Sequence, residues 1–177
     1  FSKKKRIYLD YASATYVRKE VQKAMQPYFS LVYGNPSAIH KEGVHASLAV
    51  EKAREELAQT LRIRPQGVVF TGSGTESNNI ALLGVIEARH KKGVAYTDMK
   101  VVSTAIEHAS VLEVLAHLSS LGVVVTYVPT NEYGVITIDA FTRSLSDKTV
   151  LVAFSYVNSE IGTIQPFSKL TRIVRAY

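Results

Sequence analysis

The apolar positions along this chain follow two spacings, which predict helices and strands in alternation. Repeats of three and four residues, typical of a buried helix face, predict helices over 17–28, 44–61, 75–87, 107–118, 139–145 and from Pro166 onward. Compact apolar runs with many β-branched residues predict strands over 67–71, 101–102, 123–128 and 149–154. Asp139 is predicted to cap the fifth helix. This order of elements indicates an α/β fold.

The predicted strands are continuous apolar runs rather than alternating ones, which indicates a sheet that is buried on both faces. Because helical segments connect the strands, we expect a largely parallel sheet with helices on both faces. Ligands of such sheets bind beyond the carboxyl ends of the strands. Three polar or glycine-rich loops lie at those ends, over 72–77, 104–108 and 155–163. The candidate chemistry is therefore expected in these loops.

The first loop, Gly72 to Thr75, has the composition of an anion site. Its glycines let a ligand approach the backbone, and the helix that follows offers free N–H groups and a positive dipole end, which suit phosphate. A Walker loop would continue with Lys and Ser or Thr, but Glu76 and Ser77 follow. A dinucleotide fingerprint would need Gly or Ala at position 77. ATP and NAD are therefore disfavoured, and a plain strand-to-helix turn remains the alternative.

The second and third loops each contain one side chain that could contact a flat ring. His108 stands where a strand passes into a helix, so it could stack on a ring or move protons; it could equally be a helix cap without a ligand. Asn158 follows a strand and could offer its amide donors to a ligand, or could form a capping turn. The histidines and acidic residues fit no standard metal-ligand spacing, so we expect no metal site.

Composition excludes several classes of protein. The chain has 177 residues, 46% of them hydrophobic and 20% charged, as in ordinary globular domains. It has no cysteine, so neither a disulfide framework nor a cysteine metal site can form within it. The net charge is +6, partly from the run Lys3–Arg6, which we interpret as a solvated leader rather than a nucleic-acid arm. We expect no membrane span, no nucleic-acid partner and, with no signal peptide visible, a cytoplasmic protein.

Five sequence blocks occur in the same order and spacing as in one known family. They are Tyr8–Ala12, Gly34–Ser37 with His40, Phe70–Asn79, Ile106–His108 and Asn158–Pro166. Together they resemble the cysteine desulfurases, which belong to the class V aminotransferase group of fold type I enzymes with pyridoxal 5'-phosphate (PLP). The stretch Glu160–Pro166 is similar to the type that serves iron–sulfur clusters. By this resemblance, the sheet is the first part of the large domain of a PLP-dependent transferase.

The resemblance also implies roles for individual residues. Gly74 and Thr75 would hold the cofactor phosphate, His108 would stack on the pyridine ring and help to move protons, and Asn158 would bond to the ring hydroxyl. The Asn35 loop would lie near the active site and the subunit interface of a homodimer. The family reaction converts L-cysteine to L-alanine and an enzyme persulfide, whose sulfur passes to an iron–sulfur scaffold protein.

The sequence departs from the family pattern in three places. Ala12-Ser13-Ala14-Thr15 replaces the usual Ala-Ala-Thr-Thr, and Gly72-Ser73 inverts the usual Ser-Gly pair, but both keep the residues small. By resemblance, the Schiff-base lysine and the persulfide cysteine lie further on than Tyr177. We therefore expect a truncated chain, with an N-terminal segment over 1–16 and an incomplete large domain over 17–177, that is inactive alone. Lys41 precedes the phosphate loop and is expected to be a surface residue.

Three alternative functions remain open at this stage. The complete protein could be a selenocysteine lyase or another class V PLP enzyme, because substrate choice depends largely on residues beyond this chain. The chain could instead be a non-catalytic fragment or a dimerisation module. A stand-alone nucleotide-binding domain is a further alternative, which ATP or NAD binding would support.

Overall fold

A computed structural model describes residues 6–177, which fall into two compact units, one ending at Phe70 and the other beginning at Thr71. Most of the basic run predicted to be a solvated leader, Lys3 to Lys5, lies outside the described residues. Within the described residues, no helix combines the length and the apolar character that a bilayer crossing requires. The two units are described separately below.

The first unit is helical. It contains α1 (Lys19–Met25), a 3₁₀ turn (Gln26–Phe29), the long helix α2 (Lys41–Leu61) and a second 3₁₀ turn (Pro65–Gly67). Helix α2 begins where the ring nitrogen Nδ1 of His40 accepts the Gly43 N–H at 3.3 Å, and it ends at Arg62, whose φ of 54° is left-handed. Lys41 is exposed on its first turn, which confirms the prediction of a surface residue.

The predicted strand over 67–71 is wrong, because the segment pairs with no other strand in the described part of the chain. Its apolar side chains are largely exposed, 66% for Val69 and 46% for Phe70. Helix α2 contacts this segment in place of a neighbouring strand. The Arg54 guanidinium donates to the Val68 carbonyl and lies 4.9 Å from the Phe70 ring centre. A run of β-branched residues favours extended backbone, but only a neighbouring strand turns it into sheet.

The second unit contains a three-stranded parallel sheet and four helices. The strands are β1 (Lys100–Ser103), β2 (Val124–Tyr127) and β3 (Thr149–Val152), arranged in the order β2-β1-β3. The helices are α3 (Gly74–His90), α4 (Ala109–Ser120), α5 (Ile138–Ser144) and α6 (Phe167–Ala176). Each strand is joined to the next by a segment containing a helix, which confirms the predicted parallel α/β architecture.

The core of this unit lies on both faces of β1. Val101 packs with side chains of α3 and α4, including Ile86 and Leu115, while its neighbour Val102 packs with Phe141 of α5 and Leu170 of α6. Successive strand residues point to opposite faces, so β1 is covered by two helices on each side. All six of these side chains have no accessible surface. This double burial explains why the strand sequence is continuously apolar.

The prediction that Asp139 caps the fifth helix is wrong. Helix α5 starts at Ile138, and the preceding residue, Thr137, has the extended backbone of an N-cap, with φ −82° and ψ 135°. Asp139 lies inside the first turn instead. A carboxylate there still interacts favourably with the positive end of the helix dipole, which is why the residue type gave a misleading signal.

Candidate cofactor site

The loop 72–77 forms a capped helix start at the beginning of α3. The Ser73 hydroxyl accepts the Glu76 N–H at 3.2 Å, and the Glu76 carboxylate accepts the Gly72 N–H at 2.7 Å. These reciprocal bonds resemble a capping box, in which an N-cap hydroxyl and a glutamate three residues later satisfy backbone donors. The sequence Ser-x-x-Glu therefore fixes the residue at which α3 begins.

Three backbone donors remain between these capping bonds, on Ser73, Gly74 and Thr75. Within residues 6–177, the N–H groups of Gly74 and Thr75 donate to no protein acceptor. A methyl group added at Gly74 would meet no atom within 4 Å, so the space beside this glycine is open. Free N–H groups, a positive dipole end and open space are the features that an anion such as phosphate requires. The donor set therefore fits the phosphate of PLP.

His108 is the N-cap of α4, so this helix begins two residues later than its apolar pattern predicts. Its Nδ1 accepts the Ser110 N–H at 3.1 Å, while the side chain as a whole is exposed. The capping alternative raised by the sequence is thus correct as a structural description. Because the cap uses only one ring nitrogen, the other nitrogen and the faces of the ring are left for a ligand.

Asn158 is buried at the head of a small hairpin in which Val157 pairs with Ile164. Its Oδ1 accepts the N–H groups of Glu160 and Ile161, at 2.9 and 3.1 Å, and its Nδ2 donates to the Ile106 carbonyl at 2.7 Å. The capping turn considered for this loop is therefore present. One hydrogen of Nδ2 remains for a ligand.

Glu107 joins the second and third loops and was missed by the sequence analysis. Its side chain is 8% exposed, and one carboxylate oxygen accepts the Thr104 hydroxyl at 2.6 Å. The other oxygen accepts both the N–H and the hydroxyl of Ser155, at 2.8 and 2.7 Å. A glutamate next to a candidate histidine is visible in the sequence, but its bonding partner Ser155 lies 48 positions further along the chain, so the sequence did not reveal their contact. Its three bonds hold the ends of β1 and β3 together.

The predicted site residues surround one histidine without sharing one cavity. Asn158 lines a cavity of about 280 Å³ and Thr75 lines another of about 390 Å³, and His108 borders both. The structure therefore places His108 between the other two residues, which line separate cavities. Their joint role in one site stays a prediction. Within residues 6–177, no group of three histidine or acidic side chains is close enough to hold a metal ion.

Comparison with known proteins supports the resemblance seen in the five sequence blocks. The family model for class-V aminotransferases matches residues 7–177. The cysteine desulfurase IscS of Dictyoglomus turgidum is 38% identical over 174 residues, which cover 98% of this chain and 43% of that protein. The mitosomal cysteine desulfurase of Encephalitozoon cuniculi is 42% identical over 167 residues, covering 94% of this chain and 38% of that protein.

A solved structure of a NifS-like protein superposes with a TM-score of 0.90 at 37% identity, covering 97% of this chain and 46% of the other. This likeness confirms the expected fold. The chain spans about two fifths of the length of the curated relatives named above. With a family match that extends from residue 7 to residue 177, the chain belongs to the class-V aminotransferase family.

Proposed function

We propose that this chain is the PLP-gripping part of a cysteine desulfurase, an enzyme that removes sulfur from L-cysteine. The single observation that carries the proposal is the set of free N–H groups, including those of Gly74 and Thr75, at the start of α3, which lies beside the start of α4, where His108 is the N-cap. The relatives named as cysteine desulfurases support the substrate. When bound, PLP supplies an electron sink, and the protein supplies binding and orientation.

The proposed grip on the phosphate uses the beginning of α3. The N–H groups of Gly74 and Thr75 would donate to phosphate oxygens, and the Thr75 hydroxyl would add a third donor. Glu76 lies beside this site, but its carboxylate already accepts the Gly72 N–H at 2.7 Å. Held in this way, Glu76 contributes to the helix cap and leaves the N–H groups of Gly74 and Thr75 accessible.

The proposed grip on the ring uses His108 and Asn158. His108 would contact one face of the ring and hold or release a proton at its free nitrogen. Asn158 would donate its remaining Nδ2 hydrogen to the ring hydroxyl. Because its other polar groups are bonded to Ile106, Glu160 and Ile161, the amide is fixed in direction before any ligand arrives.

The wider properties of the complete protein belong to the same proposal. We propose a homodimer that delivers sulfur to an iron–sulfur scaffold protein, with the Schiff-base lysine and the persulfide cysteine supplied beyond residue 177. A cytoplasmic location stays a prediction, since the name of the relative that is 42% identical places that protein in the mitosome. The incomplete large domain over 17–177, with the segment 1–16 before it, also stays a prediction.

The experiment is a desulfurase assay of the complete protein with two variants, followed by measurement of bound PLP. Thr75→Ala is expected to weaken PLP retention, because it removes a phosphate donor. His108→Ala is expected to lower turnover by roughly 100-fold, the usual weight of a proton-transfer group, with a smaller effect on retention. Thr60→Ala and His45→Ala, exposed positions on α2, are the matched controls.

Two outcomes of this assay would contradict the proposal. One is unchanged turnover and unchanged PLP content in both Thr75→Ala and His108→Ala. The other is an enzyme that acts on L-selenocysteine and not on L-cysteine, which would favour the selenocysteine lyase alternative.

A further inference from the structure

The nitrogen of His108 that faces α4 has a defined protonation. Nδ1 lies 3.1 Å from the Ser110 backbone nitrogen and 2.8 Å from the Ser110 hydroxyl oxygen. A backbone N–H can only donate, so Nδ1 must present its lone pair and carry no proton. In the neutral ring, the proton therefore resides on Nε2.

A second residue sets the direction of the Ser110 hydroxyl. The Asn78 side chain, on α3, donates from Nδ2 to the Ser110 oxygen at 2.8 Å. An amide NH₂ group can only donate, so the Ser110 oxygen accepts this bond, and its own hydrogen is free to point at His108. Ser110 is 8% exposed, so water competes little for these bonds. The donors run in one direction, from Asn78 to Ser110 to His108.

We propose that Asn78 and Ser110 are positioning residues that hold His108 in its Nε2–H tautomer. Nε2 is then the single ring nitrogen that exchanges a proton with a ligand. The catalytic consequence rests on the proposed function, whereas the tautomer is a property of this chain and needs no cofactor.

The chain contains its own reference for the opposite tautomer. His90 Nδ1 lies 3.1 Å from the Val94 carbonyl oxygen, which can only accept. His90 therefore carries its proton on Nδ1. Its ring also stacks on Tyr96 with centroids 4.0 Å apart, so its pattern also reports whether this end of α3 is folded.

The test is ¹⁵N NMR of the imidazoles in the 177-residue chain, at an alkaline pH where the rings are neutral. His108 is expected to show an unprotonated Nδ1 resonance and a protonated Nε2 resonance, and His90 the reverse. The proposal would be overturned if His108 carried a proton on Nδ1. It would also be overturned if His108 gave averaged resonances from exchange between both tautomers, as expected for an exposed ring such as His45.

Substitutions then separate the hydroxyl from the backbone N–H. Ser110→Ala is expected to move the His108 Nδ1 resonance toward the value of a ring that exchanges between its two tautomers. Ser110→Thr should keep the wild-type value, and Asn78→Ala should produce a smaller shift than Ser110→Ala. Ser119→Ala, at an exposed position of the same helix, is the control. If the His108 resonances are unchanged in Ser110→Ala while the His90 pattern is intact, the Ser110 hydroxyl does not help to hold the tautomer of His108. If Ser110→Ala does not fold, the wild-type tautomer and Ser110→Thr decide.

The readouts also separate this proposal from the proposed function. In the complete protein, Ser110→Ala is expected to lower kcat on the order of 10-fold, the weight of one hydrogen bond, and to leave PLP content unchanged. If Thr75→Ala and His108→Ala affect neither PLP nor turnover, the proposed function fails while the measured tautomer stands. If the tautomer is wrong, PLP retention through Thr75 is unaffected.

Discussion

Glu107→Ala removes the carboxylate that holds the ends of β1 and β3 together. The substitution deletes three short hydrogen bonds, from the Thr104 hydroxyl and from the N–H and hydroxyl of Ser155. Thr104 has no accessible surface and Ser155 is half-buried, so water cannot replace the lost acceptor fully. The donors that remain are left partly unsatisfied in the interior.

The cost follows from the number and type of these bonds. Hydrogen bonds to a charged group contribute more than neutral ones, and a buried donor without a partner costs about 1–3 kcal/mol. Allowing for partial hydration of Ser155, we expect Glu107→Ala to lower the free energy of unfolding by about 3 kcal/mol. Glu107→Gln keeps the shape and one acceptor oxygen, so a loss of about 1 kcal/mol is expected.

The assay is urea unfolding of the 177-residue chain, followed by circular dichroism. A loss of about 3 kcal/mol corresponds to a midpoint lower by roughly 1–2 M. Glu113→Ala is the matched control, because Glu113 is exposed on α4 and makes no ion pair within residues 6–177. If Glu107→Ala shifts the midpoint no more than Glu113→Ala does, the three bonds do not stabilise the strand ends.

Two further predictions concern other polar groups of the second unit. Gln165 is 4% exposed and donates from Nε2 to the Gly134 carbonyl at 2.8 Å. Gln165→Glu should place a negative charge against this acceptor, so we expect it to lower the free energy of unfolding by about 3 kcal/mol at neutral pH. Gln66→Glu, exposed, is the control in the same unfolding assay, and equal losses would contradict this reasoning. The hydrogen bond from Tyr96 to the Glu87 carboxylate, 2.7 Å long, raises the pKa of Tyr96 above its ordinary value of 10.0. The bond stabilises the fold fully at pH values below the ordinary pKa of tyrosine, and this stabilisation is lost as the pH rises through the raised pKa of Tyr96. The free energies of unfolding of wild type and Tyr96→Phe, measured against pH, should therefore converge at high pH. Parallel curves would argue against the bond.

The sequence predicted those features that depend on local patterns. The parallel sheet of the second unit followed from apolar runs separated by helical repeats, because burial on both faces leaves that pattern in any strand. The segment 67–71 has the same pattern and still forms no strand, since pairing depends on a neighbour that the local sequence does not specify. Likewise, Asp139 has the right residue type for a cap but occupies the wrong position.

The site was predicted one residue at a time, and the bonds between its loops were not. His108 was identified by its place after a strand, whereas its contact with Ser110 became visible only with the backbone of the helix start. Glu107 stands beside His108 in the sequence, yet its role depends on Ser155, in another loop. Side-chain bonds between distant segments carry no periodicity, so a pattern of spacings cannot reveal them.

The most direct measurement of the central claim is an NMR titration of the 177-residue chain with PLP, pyridoxal and inorganic phosphate. If the three loops grip one molecule, the amide resonances of Gly74 and Thr75 shift with PLP and with phosphate. The side-chain resonances of His108 and Asn158 then shift with PLP and with pyridoxal. The shifts of all four residues give the same dissociation constant for PLP. Shifts at Gly74 and Thr75 without any response at His108 and Asn158, or binding confined to other residues, would show that these loops do not form one cofactor site.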